Sequence, residues 1–148
     1  MAGRKEELAT QIQEMQKAME QKVQNCKRDS VRYVITCCAE IERTCKTEMR
    51  DTPTNPDVSY GSKGHHPSIA GNPPAVDTGT LLQSITHSVD DDGKGNAIGC
   101  VGSILKNPDY PRYLEYGTSK MKPRPWLSTA LIKCQDFMSR ALKEIFRV

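Results

Sequence analysis

The triplet Asp77-Thr78-Gly79 is the part of this 148-residue chain that most directly suggests chemistry. A carboxylate held on a short turn can act in acid–base catalysis when a second carboxylate shares its proton. This chain contains one such triplet, so the two carboxylates would have to come from two copies of the chain. The sequence therefore raises the hypothesis of a catalytic Asp77 at a dimer interface.

A retroviral-type aspartic protease is the enzyme that this arrangement would form, with Ala97-Ile98-Gly99 as its later apolar segment. The residues before Asp77 disagree with it, because Pro73 and Pro74 are unsuited to a central strand. The residues after it indicate a helix start. Asp77 or Thr78 could accept hydrogen bonds from the first backbone amides, and Thr80 with Gln83 could form a capping box. We favour the cap, which leaves Leu81, Leu82 and Ile85 facing inward, and keep the protease as an alternative.

Histidines and cysteines are the candidate metal ligands. His65 and His66 are adjacent in sequence and His87 is distant, a poor spacing for one ion. The six cysteines form no C-x-x-C pair, so we expect reduced, mostly buried thiols. No metal or other cofactor is expected.

A short basic run, Lys120 to Arg124, could contact nucleic-acid phosphates. It lies beside Tyr113, Tyr116 and Trp126, which could stack on bases. We favour core packing for the three aromatic residues, and the sequence leaves phosphate contact by Lys120 and Lys122 open.

Composition favours one domain over residues 1–148. Twenty-one basic against 18 acidic residues give a net charge of +3, which is too small to indicate a dedicated nucleic-acid binder. No apolar run approaches the roughly 20 residues that a membrane span requires. The first residues lack the apolar core of a secretory signal, so we expect a soluble protein that is made in a cytoplasm.

The first 50 residues are predicted to be helical. Apolar residues recur at steps of three and four from Leu8 to Met49, so one face should be buried, more deeply in its second half, where Val31 and Ile35 widen it. A continuous helix would be roughly 66 Å long, too long for the interior of a 148-residue globule. Either it breaks near Asn25 to Ser30, where Asp29 or Ser30 could cap a second helix, or its first half projects and packs on a neighbouring subunit.

The remaining chain predicts an arm, a hairpin and a last helix. Residues 51–75 are rich in proline and glycine and should form an extended arm. Within residues 76–148, strands Ser84–Val89 and Ala97–Ile104 should pair across a turn at Asp92-Gly93. A short helix should end at Gly117, and Pro125 should open a C-terminal helix whose apolar face covers the sheet. The fold class is therefore α+β.

Three segments, HHPSIAGNPPAVDTGTLLQSI, AIGCVGS and YPRYLEYGTSKMKPRPWLSTAL, occur in an order that resembles a family of tailed-bacteriophage proteins. This family comprises the minor tail component, neck and tail-completion proteins of lambda-like phages. The matching residues are Pro74, Thr78, Gly79, Leu81, Ser84, Ile85, Val101, Gly102, Tyr113, Leu114, Glu115, Tyr116, Gly117, Thr118, Arg124, Pro125, Trp126 and Leu127. The chain departs from the family pattern by an extra Lys122-Pro123 and by its cysteine-rich helix.

The resemblance implies a structural virion protein with no catalytic activity. It would be a homo-oligomeric ring, hexameric as a first expectation, at the head-to-tail junction as a neck, tail-completion or tail-terminator protein. Neighbouring head-closure or connector proteins, tail-tube proteins and the double-stranded DNA that passes through the ring would be its partners, and no membrane is involved. The resemblance also implies that Glu115, Gly117 and Thr118 hold a turn and that Trp126 anchors the last helix to the sheet.

Overall fold

A computed structural model describes residues 2–62, 64–107 and 109–147 of the chain. Along these residues lie α1 (Ala2–Asp51), α2 (Thr80–Ser84), β1 (Ile85–Asp91), β2 (Ala97–Ser103), α3 (Asp109–Tyr116) and α4 (Leu127–Phe146). The α+β class is confirmed, with its long N-terminal helix, small antiparallel sheet and packed C-terminal helix. No helix of the described residues is long and apolar enough to cross a membrane.

The helix α1 is continuous over 50 residues, a length of about 75 Å. The predicted break near Asn25 to Ser30 is therefore wrong. Ser30 donates its hydroxyl to the carbonyl of Cys26 at 3.0 Å, so its side chain lies against the preceding turn instead of opening a new helix. With no proline in this stretch, nothing local interrupts the backbone ladder.

The two halves of α1 differ in burial. The apolar side chains at 8, 12, 15, 19 and 23 are between 48% and 65% exposed. In the second half Cys37, Cys38, Ile41, Cys45 and Met49 are at most 8% exposed. The prediction of a more buried second half is confirmed, although Ile35, expected to widen its buried face, is 46% exposed.

The helix α4 lies against the second half of α1 and runs in the opposite direction. Near its start, Lys133 Nζ lies 2.5 Å from Glu48 Oε2. Towards its end, the Tyr33 hydroxyl donates to the Met138 carbonyl at 3.3 Å, and the Tyr33 ring meets Phe146 edge-on. Leu131 and Leu142 of α4 are each 45% exposed, so the apolar face of this helix is only partly covered.

One core joins the helices to the sheet. Its buried members are Ile41, Cys45, Met49, Leu81, Ile85, Leu114, Trp126, Ala130 and Cys134. The six cysteines are free thiols, and burial raises the pKa of Cys45 to about 12, so this thiol stays protonated and acts as a small apolar side chain. The expected inward positions of Leu81 and Ile85 are confirmed, with 6% and 1% exposure.

The strands β1 and β2 form an antiparallel hairpin in which Ile85 faces Ser103 and Asp91 faces Ala97. Their ends differ from the predicted ones by at most two residues, and Gly93 in the turn has a φ of 69°. The second half of α1 crosses one face of this hairpin. A Cβ atom at Gly99 would lie 2.2 Å from Cys38 Sγ and 2.9 Å from Val34 Cγ1, so only glycine permits this close approach.

The proline-rich arm leaves α1 and folds back on itself. Isolated bridges pair Thr54 with Ser68 and Tyr60 with His65, and the Asn55 amide donates to the Pro67 carbonyl at 2.7 Å. The predicted arm is thus an irregular hairpin whose returning strand leads directly to Asp77.

Candidate functional site

A cleft of about 920 Å³ lies between four segments that are distant in sequence. One wall is the arm, and another is the stretch from Pro74 to Leu82 that contains the Asp-Thr-Gly triplet. The helix α3 and the basic loop from Lys120 to Arg124 complete it. The fold therefore brings the two most prominent sequence motifs to one place, which the sequence alone did not predict.

The loop after α3 is shaped by Gly117 and Thr118. Gly117 has a φ of 75°, and a Cβ atom there would lie 2.7 Å from the Met121 carbonyl oxygen. Its amide donates to the Tyr113 carbonyl at 2.8 Å, which ends α3. Thr118 Oγ1 accepts from the amides of Lys120 and Met121 at 3.2 and 3.1 Å. The predicted helix end at Gly117 and the local hydrogen bonding of Thr118 are confirmed.

Glu115 has a role that the sequence analysis did not identify. Its carboxylate accepts from the backbone amides of Trp126, Leu127 and Ser128 at 2.8, 3.0 and 3.0 Å. These amides open α4, which has no capping side chain of its own at Trp126. Glu115 therefore caps a helix that begins twelve residues later, and it fixes α4 to α3.

The pKa of Glu115 reflects this position. Burial alone would raise the pKa, but hydrogen bonds from Ser128, Leu127 and Trp126 outweigh burial and hold it below the ordinary glutamate value. The carboxylate is consequently ionised at neutral pH. The sequence signal for this role is the residue before α4, Trp126, whose side chain cannot accept hydrogen bonds from the first amides of the helix.

Trp126 is 4% exposed and lies in the core, as expected. Its indole Nε1 donates to the Pro111 carbonyl of α3 at 3.1 Å. The polar contact of Trp126 is thus with α3, while its ring shares the core with Ile85 of the sheet. Pro125 lies two residues before α4, and its carbonyl accepts from Thr129 Oγ1 at 3.0 Å.

Arg124 connects the basic loop to the arm. Its Nε donates to the Ser68 carbonyl at 3.1 Å, and its backbone amide donates to the Leu114 carbonyl at 2.7 Å. The Gly71 amide donates to the Pro123 carbonyl at 2.9 Å. The bonds to Ser68 and from Gly71 hold the arm against the loop, and the bond to Leu114 holds the loop against α3.

Asp77 does not cap α2, so the prediction that this residue caps the helix is wrong. Its carboxylate lies 3.4 Å from His65 Nδ1 across the cleft and its side chain is 61% exposed. The residue at the N-cap of α2 is Gly79, in a left-handed conformation, and no side chain caps the helix. The capping box of Thr80 with Gln83 is also absent, because Thr80 is already the first helical residue. Thr78 Oγ1 does accept from the Thr80 amide, at a long 3.4 Å.

Two of the three aromatic residues near the basic loop are outside the core. Tyr113 is 44% exposed and Tyr116 is 76% exposed, so the expectation of core packing holds only for Trp126. In the short helix α3 the buried positions are Pro111 and Leu114, and the tyrosines lie on its other faces. Tyr110, which lines the cleft, has a raised pKa because of burial and, secondarily, the Asp77 charge.

The three histidines lie in separate hydrogen-bonded settings. His65 faces Asp77, His66 Nδ1 lies 3.0 Å from the Val58 carbonyl, and His87 Nδ1 lies 2.6 Å from Glu42 Oε2. Across residues 2–62, 64–107 and 109–147, no group of three or more metal-binding side chains is assembled. Asp77 is also the only Asp or Glu among the described residues that line the cleft.

Comparison with protein-family models, with curated proteins and with solved structures finds no match for this chain.

Proposed function

We propose that this chain is a structural subunit of a tailed-phage particle, forming a ring at the head-to-tail junction. In that place it would join the tail to the capsid and let the DNA pass. The resemblance of the ordered motifs supports this proposal, and one structural observation carries its self-association. This observation is the uncovered apolar face on the first half of α1.

We call this face the seam, and it consists of Leu8, Ile12, Met15, Met19 and Val23. Each of these side chains is about half or more exposed, on a helix that extends beyond the rest of the described fold. Single exposed apolar residues are ordinary, whereas a row of five on one face is typical of an interaction surface. Burying such a row is worth on the order of 1 kcal/mol or more per side chain.

The seam continues the surface that α4 covers. Equivalent positions recur every 11 residues, as Leu8, Met19, Ser30 and Ile41, and as Ile12, Val23, Val34 and Cys45. From Tyr33 onward this surface meets α4, and before it α4 has ended. The same stripe is therefore filled by the chain itself on one half and open on the other, which supports a neighbour from another chain on the open half.

A second copy is the neighbour that suits this surface. An 11-residue repeat keeps the stripe nearly parallel to the helix axis, and two such stripes pack with little supercoiling or a right-handed one. From Leu8 to Val23 the seam extends roughly 24 Å at 1.5 Å per residue. If the seam packs on a different surface of the next copy, the contact is head-to-tail, and its repetition forms a ring when the rotation between copies closes.

The proposal is tested on tailed particles that contain this chain, by quantitative mass spectrometry against the major capsid and tail proteins. We expect a fixed copy number, six for a hexameric ring, and loss of joined heads and tails when the chain is absent. A matched pair of variants separates assembly from folding: Met15→Glu with Met19→Glu on the seam, and Gln13→Glu with Gln21→Glu on the opposite face. Particles that lack the chain, or that join normally without it, would contradict the proposal.

A nucleic-acid-binding module is the second candidate, and the exposure of Tyr113 and Tyr116 favours it. Both rings precede the loop of Lys120 and Lys122 in sequence. Surfaces that bind single-stranded nucleic acid usually combine aromatic stacking on bases with basic contacts to phosphates. The nucleic-acid-binding hypothesis predicts that the isolated protein binds DNA with an affinity that falls steeply as the salt concentration rises. The joining-protein hypothesis predicts at most weak and nonspecific DNA binding.

A further inference from the structure

The basic loop presents cations to the cleft without a compensating charge. Lys120 and Lys122 are exposed, and neither makes an ion pair with any described residue. Arg124 donates from Nε to Ser68, and no second hydrogen bond of its guanidinium is found within the described residues. Three cationic groups thus line a space whose one carboxylate, Asp77, already faces His65.

Unpaired backbone amides lie on the opposite wall. Residues Ala75 to Thr78 have no regular secondary structure, and among the described residues none of their amides donates a hydrogen bond to the protein. This stretch follows Pro74 and faces the cleft along its length. Free amides of this kind can donate to carbonyl or carboxylate oxygens of a bound chain.

Ser68 supplies an unsatisfied hydroxyl beside the same space. The residue is 2% exposed, and its Oγ has no hydrogen-bond partner, the one such buried side-chain atom among the described residues. An unpaired buried hydroxyl costs about 1–3 kcal/mol, so its retention suggests a partner that is bound at times. Ser68 lines the cleft, and its carbonyl already receives the Arg124 side chain.

The cleft therefore has more cationic side chains than carboxylates. Ammonium groups, guanidinium hydrogens, backbone amides and a hydroxyl all need acceptor atoms. A ligand with carboxylates and peptide carbonyls provides both the charge and the acceptors. Phosphodiesters would satisfy the cations equally well, so the apolar part of the cleft decides between the two.

Apolar side chains form the floor and part of the rim. Met49, Leu81 and Leu114 lie at the base with at most 7% exposure, while Ile69 and Val76 at the rim are 52% and 39% exposed. A phosphate backbone gains nothing from such contacts. An extended peptide places alternate side chains on opposite sides, so acidic residues can reach the lysines while apolar ones cover the rim.

We propose that this cleft binds an extended acidic segment of a partner protein, with alternating apolar and carboxylate side chains. The free amides of Ala75 to Thr78 donate to carbonyl or carboxylate oxygens of this segment. Lys120 and Lys122 contact the carboxylates, and Ser68 and Arg124 bind carbonyl or carboxylate oxygens. This role differs from the DNA contact expected for the two lysines, and it does not depend on the ring.

The test uses a blocked seven-residue peptide, Thr-Val-Asp-Val-Asp-Val-Thr, and a control in which asparagine replaces both aspartates. Binding to the isotope-labelled full chain is followed by NMR. We expect the aspartate peptide to bind at least about tenfold more tightly and to shift the amide signals of Ala75, Val76 and Thr78. The variant Lys120→Glu with Lys122→Glu should lose about tenfold in affinity, and Lys94→Glu with Lys106→Glu, two exposed lysines outside the cleft, should lose none.

Ser68→Ala separates binding from stability. It removes an unsatisfied buried hydroxyl, so the melting temperature should not fall, yet peptide affinity should drop a few-fold. Equal affinity for the aspartate and asparagine peptides, or shifts confined to other residues, would overturn the proposal. So would tighter binding of a short DNA duplex to the same residues. Concentration-dependent shifts of these amides without peptide would make a second copy the occupant and would also overturn it.

Discussion

The two halves of α1 have the same kind of sequence pattern and opposite surroundings. In the second half the apolar stripe meets α4 on one side and the hairpin on the other, and Cys45 is fully buried. In the first half the equivalent stripe, represented by Ile12 and Met19, stays in solvent. A 3.6-residue pattern thus predicts that a helix has an apolar face, but not which chain covers it.

The halves also differ in what each residue can contribute to folding. Around Cys38 the helix lies so close to β2 that a glycine is required at position 99. Along the seam the apolar side chains are 48% to 65% exposed. Stability should therefore respond to changes in the second half, and association to changes in the first.

Truncating one isoleucine in each half should give the largest difference. Ile41→Ala removes a side chain that is 8% exposed and should lower the free energy of unfolding by about 2–4 kcal/mol. Ile12→Ala, at a side chain 48% exposed, should change it by less than about 0.5 kcal/mol. Urea denaturation at low protein concentration measures both, and similar losses would show that the first half is also packed in the monomer.

A second pair of substitutions examines how closely α1 approaches the sheet. Gly99→Val places carbon atoms against Cys38 and Val34 and should cost about 1–3 kcal/mol through displacement of the helix. Gly102→Val, on the same strand with no atom within 4 Å of its added Cβ, serves as the control. Thermal unfolding should show a lower melting temperature for Gly99→Val alone, and equal melting temperatures would contradict the crossing.

Removal of the Glu115 cap should destabilise the start of α4, the helix that packs on the second half of α1. Glu115→Ala leaves three amides at the start of α4 without their acceptor, at a cost of about 1–2 kcal/mol. Glu144→Ala, an exposed position near the end of α4, should change stability by less than about 0.5 kcal/mol. Hydrogen exchange should also become faster in the first turn of α4, and unchanged protection there would exclude the capping role.

Acid should produce a smaller effect through the same carboxylate. Because the pKa of Glu115 is lower in the folded state, its stabilisation is present above the unfolded glutamate value of about 4.3 and is lost as the pH falls through the folded pKa. Glu42, whose pKa is lowered by Lys46 and then by His87, adds to this loss. The side chain in Glu115→Gln cannot titrate. The stability of this variant, measured by urea titrations, should therefore fall less steeply between about pH 5 and 3. Parallel curves for the variant and the parent chain would contradict this assignment.

The sequence was sufficient for features that depend on neighbouring residues. Helix periodicity, the turn at Gly93, the helix end at Gly117 and the local bonds of Thr118 all follow from short-range rules. The wrong or missing predictions concern contacts between residues distant in sequence, or which of several possible groups a side chain binds. Glu115 caps α4 across a loop, and Asp77 faces His65 of the arm instead of the α2 amides; neither pairing leaves a local signal.

The cleft belongs to the same class of long-range features. Its walls come from the arm, the triplet and the basic loop, and the bond from Arg124 to Ser68 that joins them spans 56 residues. Motif analysis identified Asp77, Lys120 and Lys122 separately. Only the fold shows that they surround one space, and that Ser68, which no motif indicated, lies within it.

Sedimentation equilibrium of the purified chain tests the central claim most directly, because the seam is either covered by another copy or left in solvent. We expect a discrete oligomer for the parent chain and for Gln13→Glu with Gln21→Glu. Met15→Glu with Met19→Glu should sediment as a folded monomer. A parent chain that remains monomeric at high concentration, or a seam variant that assembles like the parent, would contradict the account.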